Sequence, residues 1–378
     1  LEYDASGNPL GLLIEEGRSN RVPYSDLSSG WSWVNTTDIG GAATAPDGTQ
    51  TATLMRENTA GTAHITFAAI VSASTSTTAS IFAKAGGRRY LQLSASTNQT
   101  SWAVFDLEQG VVTAQAASGI TATIEPYGNG WYKCNAALTL PASGTTTNFV
   151  WGSSVSATSG DRSVYQGDGV SGIYLWGAQV ETGAFPTSYI PTSGSTVTRA
   201  ADFASASSFK YHQNSTQGTL YVAFTPNVDS SNFLRVAEFG YSNLRFSIQV
   251  VSGAIRHYTR NAANNTNNVI GTPYLYTLNS TQKTAYTVSA GYAAQSNNGT
   301  NAQSETDVLG LNQSNVGFYI GRSGSGAQLN GHIKHIQYYP KRLSNEELEL
   351  LTQPSASPTM NLTFDGQATS TLVEGLHD

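Results

Sequence analysis

Five side chains on two neighbouring segments have the types and spacing to do chemistry together. In Arg88-Arg-Tyr-Leu-Gln-Leu93, alternation sets Arg88, Tyr90 and Gln92 against Arg89, Leu91 and Leu93. In Trp102-Ala-Val-Phe-Asp-Leu107 it sets Trp102, Val104 and Asp106 against Ala103, Phe105 and Leu107. A sugar ring has an apolar face and a rim of hydroxyls, so holding one takes an exposed aromatic plane beside amide, carboxylate or guanidinium partners. If the two strands share a sheet, Tyr90 and Trp102 supply the plane, and Arg88, Gln92 and Asp106 the hydrogen-bonding rim. The competing reading is that the aromatics only pack across strands, beneath a loop or a neighbouring subunit.

Other chemistries leave fainter marks. Arg235, Arg245, Arg256, His257, Tyr258 and Arg260 concentrate cations and rings that could face an acidic polysaccharide, or form ordinary solvated strand faces. His332 and His335 stand three apart on an expected strand. Alternation sends them to opposite faces, so they are not expected to share a metal. The single cysteine, Cys134, shares a face with Tyr132, Ala136 and Leu138, which makes it an inert core thiol and excludes an intrachain disulfide. Trp31 and Trp33 in a Gly/Ser-rich loop either plug a sandwich end or touch a ligand, and Trp131 is outward by alternation. The chain has no Gly-x-Ser-x-Gly elbow and no Gly-rich phosphate loop. No carboxylate pair stands in a motif that fixes a glycosidase separation. Catalysis is therefore the lesser expectation.

The elements that must position these groups read as strands. The chain has 378 residues, 12% of them charged, about half the usual share. Ser, Thr, Gly and Asn make up the difference, as suits turn-rich β structure with an extracellular or virion surface. Net charge is −6 and no basic stripe occurs, so nucleic acid is not an expected partner. No apolar run reaches the ~20 residues of a spanning helix, so membrane insertion is not expected. Short alternating segments recur at even spacing from 21 to 190, the signature of a sandwich or jelly roll. Pro186 and Pro191 end the strand that begins near Ile173, because each lacks the ladder N–H. A strap over 191–202 follows, and the alternation restarts over 203–352. One helix is expected, with Ser344 as N-cap, Glu347 completing a capping box, and Leu343, Leu348, Leu350 and Leu351 on its apolar side. Residues 1–20 read as an attachment hairpin and 353–378 as a polar tail. Because residue 1 is Leu and not Met, the chain is expected to have lost something upstream.

The run Leu10-Gly-Leu-Leu-Ile-Glu-Glu-Gly-Arg-Ser-Asn20 resembles a recurrent lead-in segment of tailed-phage and gene-transfer-agent fibre and spike proteins. Ala83-Lys-Ala-Gly-Gly-Arg-Arg-Tyr-Leu-Gln-Leu93, Gly128-Asn-Gly-Trp-Tyr-Lys-Cys134 and Trp176-Gly-Ala-Gln-Val-Glu-Thr-Gly-Ala-Phe-Pro-Thr-Ser-Tyr-Ile-Pro191 look like the same module, which is similar to carbohydrate-binding jelly rolls. From 203 on, Gly331 to Tyr339 and the following Leu-Ser-Asn-Glu-Glu-Leu resemble the closing part of a concanavalin-A/laminin-G-type sandwich.

The resemblance implies an all-β chain of two tandem antiparallel sandwiches, in a virion-surface subunit that adsorbs to host capsule or lipopolysaccharide. The alternatives are a polysaccharide depolymerase, and a structural spacer or capsid decoration. It further implies a homo-oligomer, a trimer first, joined to other virion proteins through an upstream anchor. A structural calcium ion held by loop Asp and Asn oxygens is common in such sandwiches.

Overall fold

The computed structural model describes residues 2–3, 6–71, 74–95, 101–140, 144, 146–158, 162–206, 216–229, 234–241, 244–260, 267–306, 317–322 and 328–354. Among the described residues the chain is all-β, two antiparallel sandwiches with one short helix. It divides into two compact units. The first takes Tyr3–Pro9 and Glu16–Ala201; the second takes Leu1–Glu2, Leu10–Glu15 and Asp202–Asp378.

The first unit has two six-stranded sheets. In one the order is Val111–Gln115, Ser101–Asp106, Tyr90–Ala95, Thr146–Ser154, Ile65–Val71, Ser32–Val34. In the other it is Ile120–Gly128, Trp131–Thr139, Ser76–Gly86, Gly172–Thr182, Ala52–Glu57, Thr36–Ala43. Alternation decides the core. Leu91, Leu93, Phe105, Phe149 and Trp151 from the first sheet meet Met55, Ile81, Cys134, Ile173 and Leu175 from the second, all fully shielded from water. Burial pushes the Cys134 thiol well up and keeps it neutral. Trp31 packs on Trp151 with ring centres 5.1 Å apart and donates Nε1–H to the Tyr24 carbonyl, so it plugs this core. Trp131 is also buried, and donates Nε1–H to the Thr44 carbonyl. The strap is ordered: Val197–Arg199 pairs with Arg18–Asn20, and Thr192 Oγ1 donates to the Val22 carbonyl.

In the second unit Pro9–Ile14 adds to the edge of the strand Gly331–Tyr339. Gly11 is required there: at φ +117° a Cβ would stand 2.5 Å from the Ile333 carbonyl oxygen. The sheet continues through Gly218–Pro226, Gln282–Ser289, Tyr292–Asn297 and Gln303–Thr306. The opposing sheet runs Ala204–Ala206, Phe318–Ile320, Leu234–Tyr241, Leu244–Val251, Ala254–Arg260, Asn267–Leu275. The expected helix forms over Asn345–Thr352, with both hydrogen bonds of the capping box. Its Leu348 covers Tyr221, Ala223 and Ala285, while Leu350 is exposed, contrary to the expected apolar side. The expected tail lies, from residue 355, outside the described residues.

Candidate functional site

The strands expected to carry the platform do pair, with Tyr90 opposite Asp106, Gln92 opposite Val104 and Ser94 opposite Trp102. Tyr90, Gln92, Trp102 and Asp106 therefore share the outer face. Tyr90 and Trp102 are both half-buried, but they stand four positions apart along the strands, roughly 13 Å. One sugar ring cannot stack on both.

The polar rim is already spent. Gln92 is 3% exposed and its Oε1 accepts from the Ser163 N–H at 3.0 Å. The Ala157 carbonyl accepts from Thr113 Oγ1, so the segment after Thr146–Ser154 crosses this face. Asp106 is 1% exposed. Its carboxylate takes Arg89 Nε at 2.8 Å and the N–H groups of Glu108 and Gln109, which anchors a hairpin turn. The Arg89 bond and those turn bonds hold the Asp106 carboxyl below its ordinary range against the opposing effect of burial. These engagements correct the expectation of Arg88, Gln92 and Asp106 as free sugar partners. Strand geometry begins only at Tyr90, and Gly87 at φ +98° turns the chain just before it. Alternation therefore does not aim Arg88 or Arg89.

Arg88 instead closes one end of the sandwich. It makes paired hydrogen bonds to Glu57, whose side chain has no exposure. Glu57 also accepts from Tyr165 Oη at 2.6 Å and the Asp168 N–H at 2.7 Å. Burial pushes the Glu57 carboxyl up, but the bonds from Arg88, Tyr165 and Asp168 outweigh it and hold it below the usual range. This is an electrostatic plug, with His64 packed on Tyr165 at 4.7 Å between ring centres.

The open surface lies on the other sheet. Its outer face has a covered part and a bare part. Phe82, Trp131 and Trp176 are buried there beside Tyr189. One step along, Lys84 stands opposite Tyr174, Tyr174 opposite Leu54, and Leu54 opposite Ile39. All four are half-buried. Arg56 lies two residues beyond Leu54, flanked by Gly172 and the exposed Thr37. Gly86 lets the Tyr174 ring lie close: a Cβ would stand 3.0 Å from Tyr174 Cε2. Lys84 Nζ donates to the Asn129 carbonyl at 2.8 Å. Among the described residues neither the Tyr174 hydroxyl nor the Arg56 guanidinium has a hydrogen-bond or ion-pair partner. Alternation could have found this row, since Ile173 and Leu175 are core residues and leave Tyr174 outward. The strand order that puts Lys84, Leu54 and Ile39 beside it is not written locally.

In the second unit the expected cationic group divides. Arg235, Gln249 and Arg256 form one cross-strand row, and Glu238, Ser247 and Tyr258 the next. Arg235 Nε donates to Glu238 at 3.0 Å, and Glu238 is buried. His257 points the other way, into the core, with Nε2 2.6 Å from Thr284 Oγ1. The side chains of Arg245 and Arg260 lie outside the described residues. A bulge between Ala223 and Phe224 also corrects the reading of His332 and His335. They pair with Thr225 and Ala223, which share a face. His332 is bonded to Glu2. Among the described residues no three His, Cys, Asp or Glu side chains converge on a metal position. The loop carboxylate of Asp168 is taken by its own turn and by Arg88.

No protein-family model matches this chain, and no curated protein matches it. Solved structures give partial likenesses. The CBM40 domain of the Ruminococcus gnavus IT-sialidase is 14% identical, over 37% of this chain and 84% of that one, with a TM-score of 0.33. A SAP-like pentraxin from Limulus polyphemus is 19% identical, over 36% of this chain and 70% of that one, at 0.30. The binding domain of botulinum neurotoxin DC, solved with rat synaptotagmin II, is 15% identical, over 38% and 36%, at 0.30. Likeness at this level defines no family for the chain.

Proposed function

We propose that this chain is an adhesive subunit at the surface of a phage or phage-like particle, a fibre or spike that holds host-cell glycan without cleaving it. The reading rests on the bare row of the first unit. There a half-buried tyrosine stands on the sheet with Lys84 across one neighbouring strand, and with Leu54, Arg56 and then Ile39 on the other side. A sugar's apolar face meets the ring and the aliphatic side chains, and its hydroxyls meet the tyrosine hydroxyl, Thr37 and the cations. The composition, poor in charge and rich in hydroxyls and amides, supports a role outside the cell. So does the resemblance of the lead-in segment to particle fibres. Each such site is weak, and repetition around an oligomer would raise avidity by about 10²–10⁴ without new contacts.

Binding of purified chain to host capsule and lipopolysaccharide tests this, with reducing ends measured in the same samples. Retention without new reducing ends is the expected result. Release of reducing ends would make the chain a depolymerase. Neither retention nor release would leave a spacer or decoration. Imaging of labelled chain on assembled particles is expected to place it at an outward tip.

A further inference from the structure

We infer that the bare row takes an acidic saccharide, one whose rings carry carboxylate or sulfate groups. This rests on the adhesive reading above and deepens it. The argument is one of charge. Across the strands Ser76–Gly86, Gly172–Thr182, Ala52–Glu57 and Thr36–Ala43, the outward residues around Tyr174 are Lys84, Leu54, Ile39, Arg56 and Thr37. Two are cations and none is a carboxylate. Asp38 and Glu57, the acids nearest in sequence, alternate to the opposite face, where Asp38 stands across from the core residue Met55.

Each arginine and lysine on this unit that serves structure has an evident partner. Arg88 holds Glu57, Arg89 holds Asp106, Arg18 holds Glu16, and Lys133 donates to the Thr187 carbonyl. Arg56 differs, because among the described residues it holds nothing. Its two cross-strand neighbours are Gly172, which has no side chain, and Thr37, so no bulky cross-strand side chain flanks Arg56. Tyr174 and Arg56 are diagonal neighbours, roughly 7–8 Å apart at their backbones. That spacing lets a ring rest on Tyr174 while an oxyanion on it meets the guanidinium, in the paired geometry arginine offers to carboxylate and sulfate. Lys84 stands on the other side of Tyr174 and offers a second, point-like charge. The row crosses four strands, about 14 Å, so more than one linked ring fits.

The test uses the full chain and four immobilised polymers: polygalacturonate, the same polymer after reduction of its carboxyl groups, dextran sulfate and dextran. Polygalacturonate is expected to be retained at least tenfold better than its reduced form, with retention falling as salt rises. Dextran sulfate retained above dextran extends the ligand to sulfate, and dextran sulfate left unbound confines it to carboxylate. Arg56→Gln should lose at least fivefold on the acidic polymers, while Lys334→Gln, the same charge change on an exposed position of the second unit, should lose nothing. If the acidic and reduced polymers bind equally, or if both variants lose equally, the acidic preference is wrong and adhesion stands. If host glycan and all four polymers pass unbound, the adhesive reading falls with it.

Discussion

Lowering the pH from 7 to 5 should weaken the second unit by about 2 kcal/mol through one buried side chain. His257 is fully enclosed, and burial pushes its imidazole down to about 3. Its hydrogen bond fixes the tautomer. Thr284 Oγ1 gives its own proton to Asn297 Oδ1 at 2.7 Å, so His257 Nε2 must be the donor to Thr284. In the unfolded chain the same imidazole titrates near 6.5. Below that pH the unfolded state takes up a proton that the folded state refuses. Stability is therefore full above about pH 6.5 and is lost as pH falls toward 3. The whole interval is worth up to about 5 kcal/mol, and the part between pH 7 and 5 about 2 kcal/mol. Denaturant unfolding of the full chain at the two pH values, compared with His257→Gln, measures it. The variant keeps an N–H for Thr284 and removes the proton site, so its slope should be flatter by that amount. If the variant fails to fold, imidazole titration in the native chain decides instead. One of the chain's six histidines must stay neutral at pH 4.5. A His257 signal that titrates between pH 5 and 7, or equal slopes in the two proteins, would refute the reasoning.

Three further outcomes follow from the same physical chemistry. Glu57→Ala leaves Arg88 and Tyr165 facing each other without their carboxylate, and should cost the first unit about 3 kcal/mol or more in urea unfolding. The Glu57 and Asp106 carboxyls are held below their ordinary values, so they stabilise the first unit above about pH 4, and that stability drains as pH falls through their folded values. A thermal midpoint of the first unit that is flat between pH 5 and 2.5 would contradict this. Ser344→Ala removes one arm of the capping box and should cost about 1 kcal/mol, read by chemical unfolding of the second unit.

The architecture was largely legible because alternation carries it. Leu91, Leu93, Phe105 and Cys134 went inside where period-two spacing puts them, and Ser344 with Glu347 marked the helix start. The predicted outer face of Tyr90, Gln92, Trp102 and Asp106 was also read correctly as a shared face. What alternation cannot tell is what lies above a face. Gln92 is covered by a segment about 70 residues later, and Asp106 is taken by the arginine beside Tyr90 and by its own turn. Both are tertiary facts with no local trace. The same limit hid the Tyr174 row, whose strand Gly172–Thr182 lies far along the chain from the other three. A bulge undid the histidine reading, since one inserted residue reverses the alternation beyond it.

The adhesive account turns most directly on one ring. Tyr174→Ala should keep the fold at a modest cost in stability, because the hydroxyl has no partner among the described residues and the half-buried ring packs against the Phe82, Trp131 and Trp176 cluster without being enclosed. It should cost more than about 1 kcal/mol per site in binding to host glycan, roughly fivefold or more, whereas Trp102→Ala should leave binding within about twofold. Unchanged binding by Tyr174→Ala, or a loss confined to Trp102→Ala, would contradict the account.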